Sequence, residues 1–489
     1  MLNPTYNKDL AMRDDLTDMD SLKEKCAVTG IYNSNHAANL AYYTLFAMQH
    51  RGQEASGISV SNGHDIATFK DSGLVTDVFK KDTLKALAGF SAIGHNRYST
   101  AGDNSLADSQ PLFARYNLGE FSIAHNGNIT NALELREMLT REGAIFQSQL
   151  DTEVILHLIA RSKQTNLTAR IIEAIKMLKG AFALVFISRS KMFALRDRFG
   201  LRPLSLAQLD NEDGTKGYVV ASETCAFDLI NAKFIRDVKP GELLVFERNK
   251  MESIHEARFV STMFDESTPS KPCIFEYVYF SRPDSLVFGR SVYEVRKALG
   301  KRLAIEHKVD ADMVVPVPDS GIAAALGYSV QSGIPFELGL IRNHYVGRTF
   351  IEPTQSLREL KVRLKLNPIK EVIKDKKVIV IDDSLVRGTT SKAIVRLLRN
   401  AGAKEVHLLI AAPQTISPCY YGVDTPNKEE LICANKSLEE VKEYLHADSL
   451  GFLSLEGLEA ALTEIKDVKS ETNRCSEFCK ACFDGIYVE

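Results

Sequence analysis

KKVIVIDDSLVRGTTSKAIVRLL, Lys376 to Leu398, is the stretch that decides the fold of the second half of this chain. Its apolar run, Val378 to Ile381, reads as a buried strand ending in two carboxylates, Asp382 and Asp383. A loop of small residues, Arg387 to Ser391, then opens an amphipathic helix. Backbone N–H groups at a glycine-containing helix start form a concave anion cradle, and the hydroxyls of Thr389, Thr390 and Ser391 add donors beside Gly388. Two aspartates share a site with phosphate oxygens when they face sugar hydroxyls or a magnesium ion. The pattern is that of a cradle for a phosphorylated sugar.

Outward from this motif, DMVVPVP, GIAAALGYSVQSG, IPFELGLIR and EVHLLIAAP keep a strand, helix, strand rhythm. That rhythm predicts an α/β domain with a doubly wound parallel sheet and ligand loops at the strand carboxyl ends. Between Cys26 and Phe264 the rhythm differs: KCAVTGIY, a helix around Asn39 to Gln49, then ASGISVSNG and DIATFKDSG. Strands outnumber crossover helices there, which predicts an α+β domain of packed antiparallel sheets with helices outside. Met263 to Lys271, ending at Pro272, reads as the linker, and residues 439–489 read as a polar helical tail closing with cysteines.

A chain of 489 residues has room for about three average domains, or two large ones. Its formal charge of −3 gives no general field for nucleic acid or an anionic membrane, so small molecules and copies of itself are the expected partners. No apolar run approaches the ~20 residues that span a bilayer. Residues 1–25 hold six acidic and four basic residues and no apolar core, which excludes a secretory signal and points to the cytoplasm. The eight cysteines then read as metal ligands, nucleophiles or core fillers rather than disulfides.

The Asp382-Asp383 motif resembles the phosphoribosyl-pyrophosphate (PRPP) motif of type I phosphoribosyltransferases. The front half carries QHRGQEASG (Gln49 to Gly57), GHNRYSTAG (Gly94 to Gly102), AHNGNITN (Ala124 to Asn131) and LDTEV (Leu150 to Val154) behind Cys26. In that order they resemble the class II, N-terminal-nucleophile (Ntn) glutamine amidotransferases, whose fold is an αββα sandwich. The resemblance implies a propeptide at 1–25, an amidotransferase domain at 26–262, a phosphoribosyltransferase domain at 272–438 and the tail beyond. Cys26 becomes the nucleophile, because a free α-amine of pKa about 8 accepts a thiol proton and a peptide nitrogen does not. Asn126 and the Gly127 N–H take the place of the oxyanion hole, Arg97 that of the clamp on the glutamine carboxylate, and Asp151 that of the partner of its ammonium. Arg51 sits in the glutamine-side loop without a defined task, and Asn96 stands where the family often has threonine. A cysteine–histidine dyad with His125 is the rival mechanism.

In the back half, Asp382, Asp383, Arg387, Gly388, Thr389, Thr390 and Ser391 match PRPP-binding positions. Ser320, in VVPVPDSG, joins the two aspartates as an implied ligand of one magnesium ion per subunit. The segment Arg342 to Gln355 resembles a loop that closes over PRPP in the glutamine amidotransferases of purine synthesis, and the chain matches that family nearly end to end. The match implies a two-site enzyme joining glutamine hydrolysis to PRPP amination, with purine nucleotides as feedback inhibitors and a homodimer or homotetramer. Cys273, Cys419, Cys479 and Cys482 match the ligands of its iron–sulfur branch, implying one [4Fe–4S] cluster per subunit. Four thiolates also suit tetrahedral zinc, and C-x3-C-x2-C alone, Cys475 to Cys482, matches the cluster loop of radical S-adenosylmethionine enzymes. Cys475 is extra to the family pattern, and Cys225 and Cys433 read as core fillers. Two other classes compete: a PRPP-binding regulator without chemistry, which the Cys26 constellation argues against because a binding module needs no oxyanion hole, and a hexosamine-forming amidotransferase sharing only the front half, which the Asp382-Asp383 motif excludes.

Overall fold

A computed structural model describes residues 26–98, 106–248, 257–343, 365–423, 427–465 and 477–489. The expected propeptide, Cys475, and residues 344–355 of the expected closing loop lie outside them. The chain divides into two compact units, a front one drawing on the stretches 26–295, 417–426 and 463–489, and a back one on 296–416 and 427–462.

The front unit is built by strands whose two faces are both apolar. In the strand Ala27–Tyr32, Ala27 and Ile31 join one cluster with Ala41 and Leu45 of the helix Ala37–Ala47. Val28 and Tyr32, on the opposite face, join a different cluster with Ala183, Val185, Val220 and Phe246. The strand Gly180–Ser188 divides in the same way. Phe182, Leu184 and Phe186 meet the helices Ala132–Arg141, Thr152–Arg161 and Leu167–Ile175, while Ala183, Val185 and Ile187 face the other sheet. Side chains alternate across a strand, so burial on both faces makes these strands central layers.

The result is an αββα sandwich. One sheet has seven strands in the order Lys233–Asp237, Ser205–Asp210, Lys216–Ala221, Ala27–Tyr32, Ser91–Arg97, Ala55–Ser61, Ile66–Ser72. The other has six, in the order Ala257–Met263, Glu242–Arg248, Met192–Arg196, Gly180–Ser188, Gly119–Ile129, Leu112–Tyr116. Every pairing in both is antiparallel. Gly30 lies where the sheets press together: a Cβ there would stand 2.7 Å from Val185, 2.8 Å from Met192 and 2.9 Å from Val220.

The back unit has a four-stranded parallel sheet in the order Met313–Pro316, Lys377–Asp382, Glu405–Ile410, Ser449–Phe452. Phe336 adds a parallel bridge on the far side of Val314. From Met313–Pro316 the chain therefore steps outward through the helix Ile322–Ser332 to Phe336, and its later strands add on the opposite side, the helix Thr389–Asn400 among their crossovers. Right-handed crossovers in opposite directions put these helices on opposite faces, and the strand order reverses between Met313–Pro316 and Lys377–Asp382.

The divisions expected from sequence differ in two places. The supposed linker hydrogen-bonds into the front unit: Phe264 N donates to the Gly241 carbonyl at 2.8 Å and Lys271 N to that of Phe199 at 2.8 Å. The front unit accordingly runs on to Val295. The expected helical tail contains Ser449–Phe452, the outermost strand of the parallel sheet. A helix does precede it, Leu438–Leu445, started by a capping box of Ser437 and Glu440.

Candidate functional site

Cys26 immediately precedes the strand Ala27–Tyr32, two residues before Val28, so strand alternation gives it the inter-sheet side. Ala27 pairs with Asn96, which brings the start of this strand beside Arg97, the buried last residue of its neighbour. The Cys26 thiol donates to the Tyr98 carbonyl at 3.5 Å. Burial pushes that thiol up to about 11, Asp151 and Glu54 push the same way, and Arg97 pulls it down. Arg97 and Asp151 thus both lie within electrostatic reach of Cys26.

The strand Gly119–Ile129 supplies the next groups. Phe121 and Ile123 face the helices and Ala124 faces the other sheet, so His125 is on the helix side and Asn126 on the inter-sheet side. Asn126 is fully buried, and neither atom of its carboxamide head has a hydrogen-bond partner among the described residues. A buried amide so placed is costly unless it has a task. Gly127 has φ +149°, and a Cβ on it would stand 1.9 Å from the Ala181 carbonyl oxygen, so only glycine fits. His125 Nδ1 is 3.1 Å from Thr152 Oγ1 and 3.5 Å from Asp151 Oδ1, on the face opposite Asn126. That orientation speaks against the dyad.

Asp151 opens the helix Thr152–Arg161 and accepts from Ile129 N at 2.9 Å and Thr152 Oγ1 at 3.1 Å. Burial works to raise its carboxyl, but His125 and these hydrogen bonds outweigh it and hold the group below the usual carboxylate range. An ionised carboxylate suits an ammonium partner. Asn96 faces away from this site, its carboxamide bonded to Leu45 O at 2.8 Å and Ser56 Oγ at 3.0 Å.

Arg51 takes a structural place. It is buried, and its guanidinium forks onto Glu276 at 2.9 and 3.1 Å and also meets Glu223. Glu276 bonds Arg202 at 3.4 Å and Ser281 at 2.7 Å, and Glu223 bonds His50, Ser285 and the Arg282 N–H. Sequence reading missed this network, since its members are strewn from residue 50 to residue 285. It also missed Glu54 and the Tyr98 carbonyl, although each lies within a motif it singled out.

In the back unit the switch point carries the phosphate motif. Val317 N donates to the Ile381 carbonyl at 2.9 Å, and a Cβ on Gly321 would stand 2.4 Å from that same oxygen, so the Ser320 loop lies directly against the strand Lys377–Asp382. Asp383 is bonded by Ser320 and Ser384 side chains, and burial raises its carboxyl above the ordinary range. Asp382 and Asp383 are both buried, with Asp383 N donating to Asp382 Oδ1 at 2.9 Å. Gly388, at φ +79°, turns the loop into the helix Thr389–Asn400, and a Cβ there would meet Ile432 at 3.0 Å and Tyr444 at 3.3 Å. Thr389 and Thr390 form the first turn and Ser391 is buried behind them. Arg387 departs from the expectation: its Nε is bound to Glu430 at 2.8 Å, which draws the side chain toward that partner.

The thiols converge within the front unit. Cys273 and Cys479 form a parallel bridge, with Cys479 N donating to Pro272 O at 2.9 Å and Ile274 N to Cys479 O at 3.1 Å. Ser417 N donates to Cys482 O at 3.2 Å, and Tyr421 N to Cys419 Sγ at 3.3 Å. Burial, then the neighbouring Cys273 and Cys419 thiols, push Cys479 up to about 12. A crowd of buried thiols that disfavour one another's ionisation is a donor set suited to a cationic group shared among them. Among the described residues no three His, Cys, Asp or Glu side chains gather closely enough to hold a single metal ion. Cys225 fills the helix-side core, and Cys433 is half-buried in the back unit.

Known proteins match both halves. A model of the glutamine amidotransferase domain matches residues 95–228, and one of the phosphoribosyl transferase domain matches residues 291–431. The chain is 50% identical over 471 residues to amidophosphoribosyltransferase 1, chloroplastic, of Arabidopsis thaliana, covering 96% of this chain and 80% of the relative. It is 45% identical over 473 residues to amidophosphoribosyltransferase of Bacillus subtilis, covering 96% of each. The solved glutamine PRPP amidotransferase from B. subtilis complexed with ADP and GMP superposes with a TM-score of 0.86 at 45% identity, over 95% of this chain and 97% of that one. No described helix is long and apolar enough to cross a membrane.

Proposed function

The chain belongs to the amidophosphoribosyltransferase family, and from that membership we propose how its residues divide the reaction. The enzyme is a pentosyltransferase that hydrolyses glutamine and uses the ammonia to displace pyrophosphate from PRPP. The products are 5-phosphoribosylamine, glutamate and pyrophosphate, at the first step of purine synthesis.

At the glutamine site, removal of residues 1–25 frees the Cys26 α-amine. That amine takes the proton of a thiol which burial otherwise keeps protonated at neutral pH. Sγ attacks the side-chain amide, and the oxygen that becomes negative is received by Asn126 Nδ2 and the Gly127 N–H. Arg97 holds the substrate carboxylate and Asp151 its ammonium. Collapse of the tetrahedral intermediate breaks the C–N bond, the α-amine returning its proton to the departing nitrogen, so that ammonia leaves and a glutamyl thioester remains, from which water then releases glutamate. The observation that carries this reading is the unpartnered, fully buried Asn126 carboxamide on the side of the sheet that Cys26 faces. Preorganised donors of this kind are worth about 100-fold or more each.

At the PRPP site, the N–H groups and hydroxyls of Thr389, Thr390 and Ser391 receive phosphate oxygens, and Gly388 gives the backbone its approach. Asp382 and Asp383 face the ribose hydroxyls. The buried carboxyls and the Ser320 hydroxyl form a hard oxygen donor set, so Ser320, Asp382 and Asp383 would hold Mg²⁺. When bound, that ion neutralises charge on the pyrophosphate leaving group. Arg387 contributes positive charge at the rim rather than a clamp. Cys273, Cys419, Cys479 and Cys482 would hold a [4Fe–4S] cluster, which supplies structural cross-linking and no chemistry of the reaction. Such thiols call for a reducing compartment such as the cytoplasm. Purine nucleotides as inhibitors and a homo-oligomeric state complete the proposal, the former supported by the ADP and GMP of the B. subtilis complex.

The test is an assay of the anaerobically purified protein, scoring glutamate and pyrophosphate together. Cys26→Ala should abolish glutamine use while ammonia-dependent phosphoribosylamine synthesis persists. Loss of both with the fold intact, or pyrophosphate release independent of glutamine and ammonia, would overturn the assignment.

A further inference from the structure

The segment that follows Cys419 lies against the carbonyl side of Gly127, the residue whose N–H is assigned to the oxyanion hole. Asn128, two residues beyond Asn126 on the same strand, donates through Nδ2 to the Tyr420 carbonyl at 2.8 Å. Gly422 comes so close that a Cβ on it would stand 3.0 Å from the Gly127 carbonyl carbon and 3.2 Å from its Cα and oxygen. Gly422 has φ +94°, so both its conformation and this approach require glycine.

The segment is itself held at short intervals. Ser417 N bonds Cys482 O at 3.2 Å, and Tyr487 Oη donates to Pro418 O at 2.7 Å. The Tyr421 carbonyl accepts from Arg202 Nε at 3.0 Å, while Glu489 N donates to Tyr421 Oη at 3.0 Å. Glu489 also reaches the neighbouring strand, its Oε2 accepting from Gly180 N at 2.8 Å, where Gly180 pairs with Ile129. Ala181, Leu201, Tyr421, Cys479 and Ala481 close one apolar cluster behind it.

We propose that Asn128 is a positioning residue for glutamine hydrolysis, which fixes the Gly127 peptide in its donor orientation by anchoring the strand to the Tyr420–Gly422 segment. The proposal rests on the oxyanion role given to Asn126 and Gly127 above. Its chemistry is indirect: Asn128 touches neither substrate nor nucleophile in this role. A donor rotated by a few tenths of an ångström still permits glutamine binding but meets the tetrahedral oxygen badly. The loss should therefore fall on kcat rather than KM.

The experiment uses the full chain purified anaerobically. Asn128→Ala should lower kcat for glutamine hydrolysis about tenfold with KM changed less than twofold. Affinity for glutamate γ-semialdehyde, whose adduct with Cys26 is tetrahedral, should fall by the same factor. Asn128→Asp, which sets a carboxylate oxygen against the Tyr420 carbonyl, should be worse than alanine. Ammonia-dependent synthesis and the thermal midpoint report on the fold. If kcat is unchanged, if KM alone rises, or if both activities fall in step with the midpoint, the positioning role is overturned. Asn126→Ala is the separate control: undiminished glutamine turnover there removes the oxyanion assignment itself, whatever Asn128 does.

Discussion

Cys26 has the thiol of a cysteine protease nucleophile in a half-buried place at the start of a central strand. Burial raises it to about 11, so at neutral pH the thiol needs a base, and His125 faces the wrong way to supply one. The glutamine-dependent rate should therefore rise with pH through the α-amine value of about 8. A steady-state pH profile flat from 6 to 9 would remove that amine from the mechanism. Glu223 illustrates the opposite shift. Burial works against its charge, but His50 and Arg51 prevail and hold the carboxyl well below the ordinary range. A depressed folded value stabilises fully above the unfolded one, about 4.3, and the gain is lost as pH falls toward the folded value. Glu223→Gln should cost about 3–5 kcal/mol at pH 7 by leaving Arg51 under-compensated, and the deficit should shrink below pH 4. Denaturant midpoints of the two proteins at both pH values decide it. The residues proposed as clamp and nucleophile stand out in sequence because their motifs are local. The Arg51 network was not, because charge pairing across hundreds of residues leaves no spacing to read.

At the scale of elements, the strand, loop and helix of residues 376–398 fold as their pattern dictates: a four-residue apolar run, two carboxylates, a glycine at positive φ and an amphipathic helix. Gly388→Ala meets both an unfavourable φ and the Ile432 and Tyr444 side chains, so PRPP should bind at least tenfold more weakly in equilibrium titration. The two-faced apolar strands of the sandwich were legible as strands, and their αββα stacking followed from the family resemblance. Ser449–Phe452 was misread because four residues, SLGF, carry too little alternation to stand out between two helices. Gly30→Ala tests a close contact between the sheets. With three side chains under 3 Å from the new methyl, it should cost about 1–3 kcal/mol, seen as a lower thermal midpoint with KM for PRPP unchanged.

For the whole molecule, the informative fact is how the chain is threaded. The front unit is assembled from three stretches, and the four thiols are distributed over all of them: Cys273 in the first, Cys419 in the second, Cys479 and Cys482 in the third. A group bound to all four closes two loops, Cys273 to Cys419 and Cys419 to Cys479, 146 and 60 residues apart, whose ends are otherwise tied by the short parallel bridge and scattered hydrogen bonds. Chelation of iron from the anaerobic protein should leave the sandwich strands folded but open the two late stretches to protease, with cleavage mapping to 417–423 and 477–489. Unchanged protection there would deny the thiols their structural role. Threading also sets a clock during synthesis. Every residue assigned to glutamine cleavage lies before residue 155, yet the segment braced against Gly127 arrives only after residue 417, and its own anchor only at residue 489. At about 5–20 residues per second, a ribosome needs roughly 10–40 s to pass from the end of the first stretch to the last. Through that interval the nascent front half holds Cys26 without the segment proposed to brace its oxyanion strand, so its glutamine cleavage should run about tenfold below that of the finished chain until the half that consumes ammonia has been made.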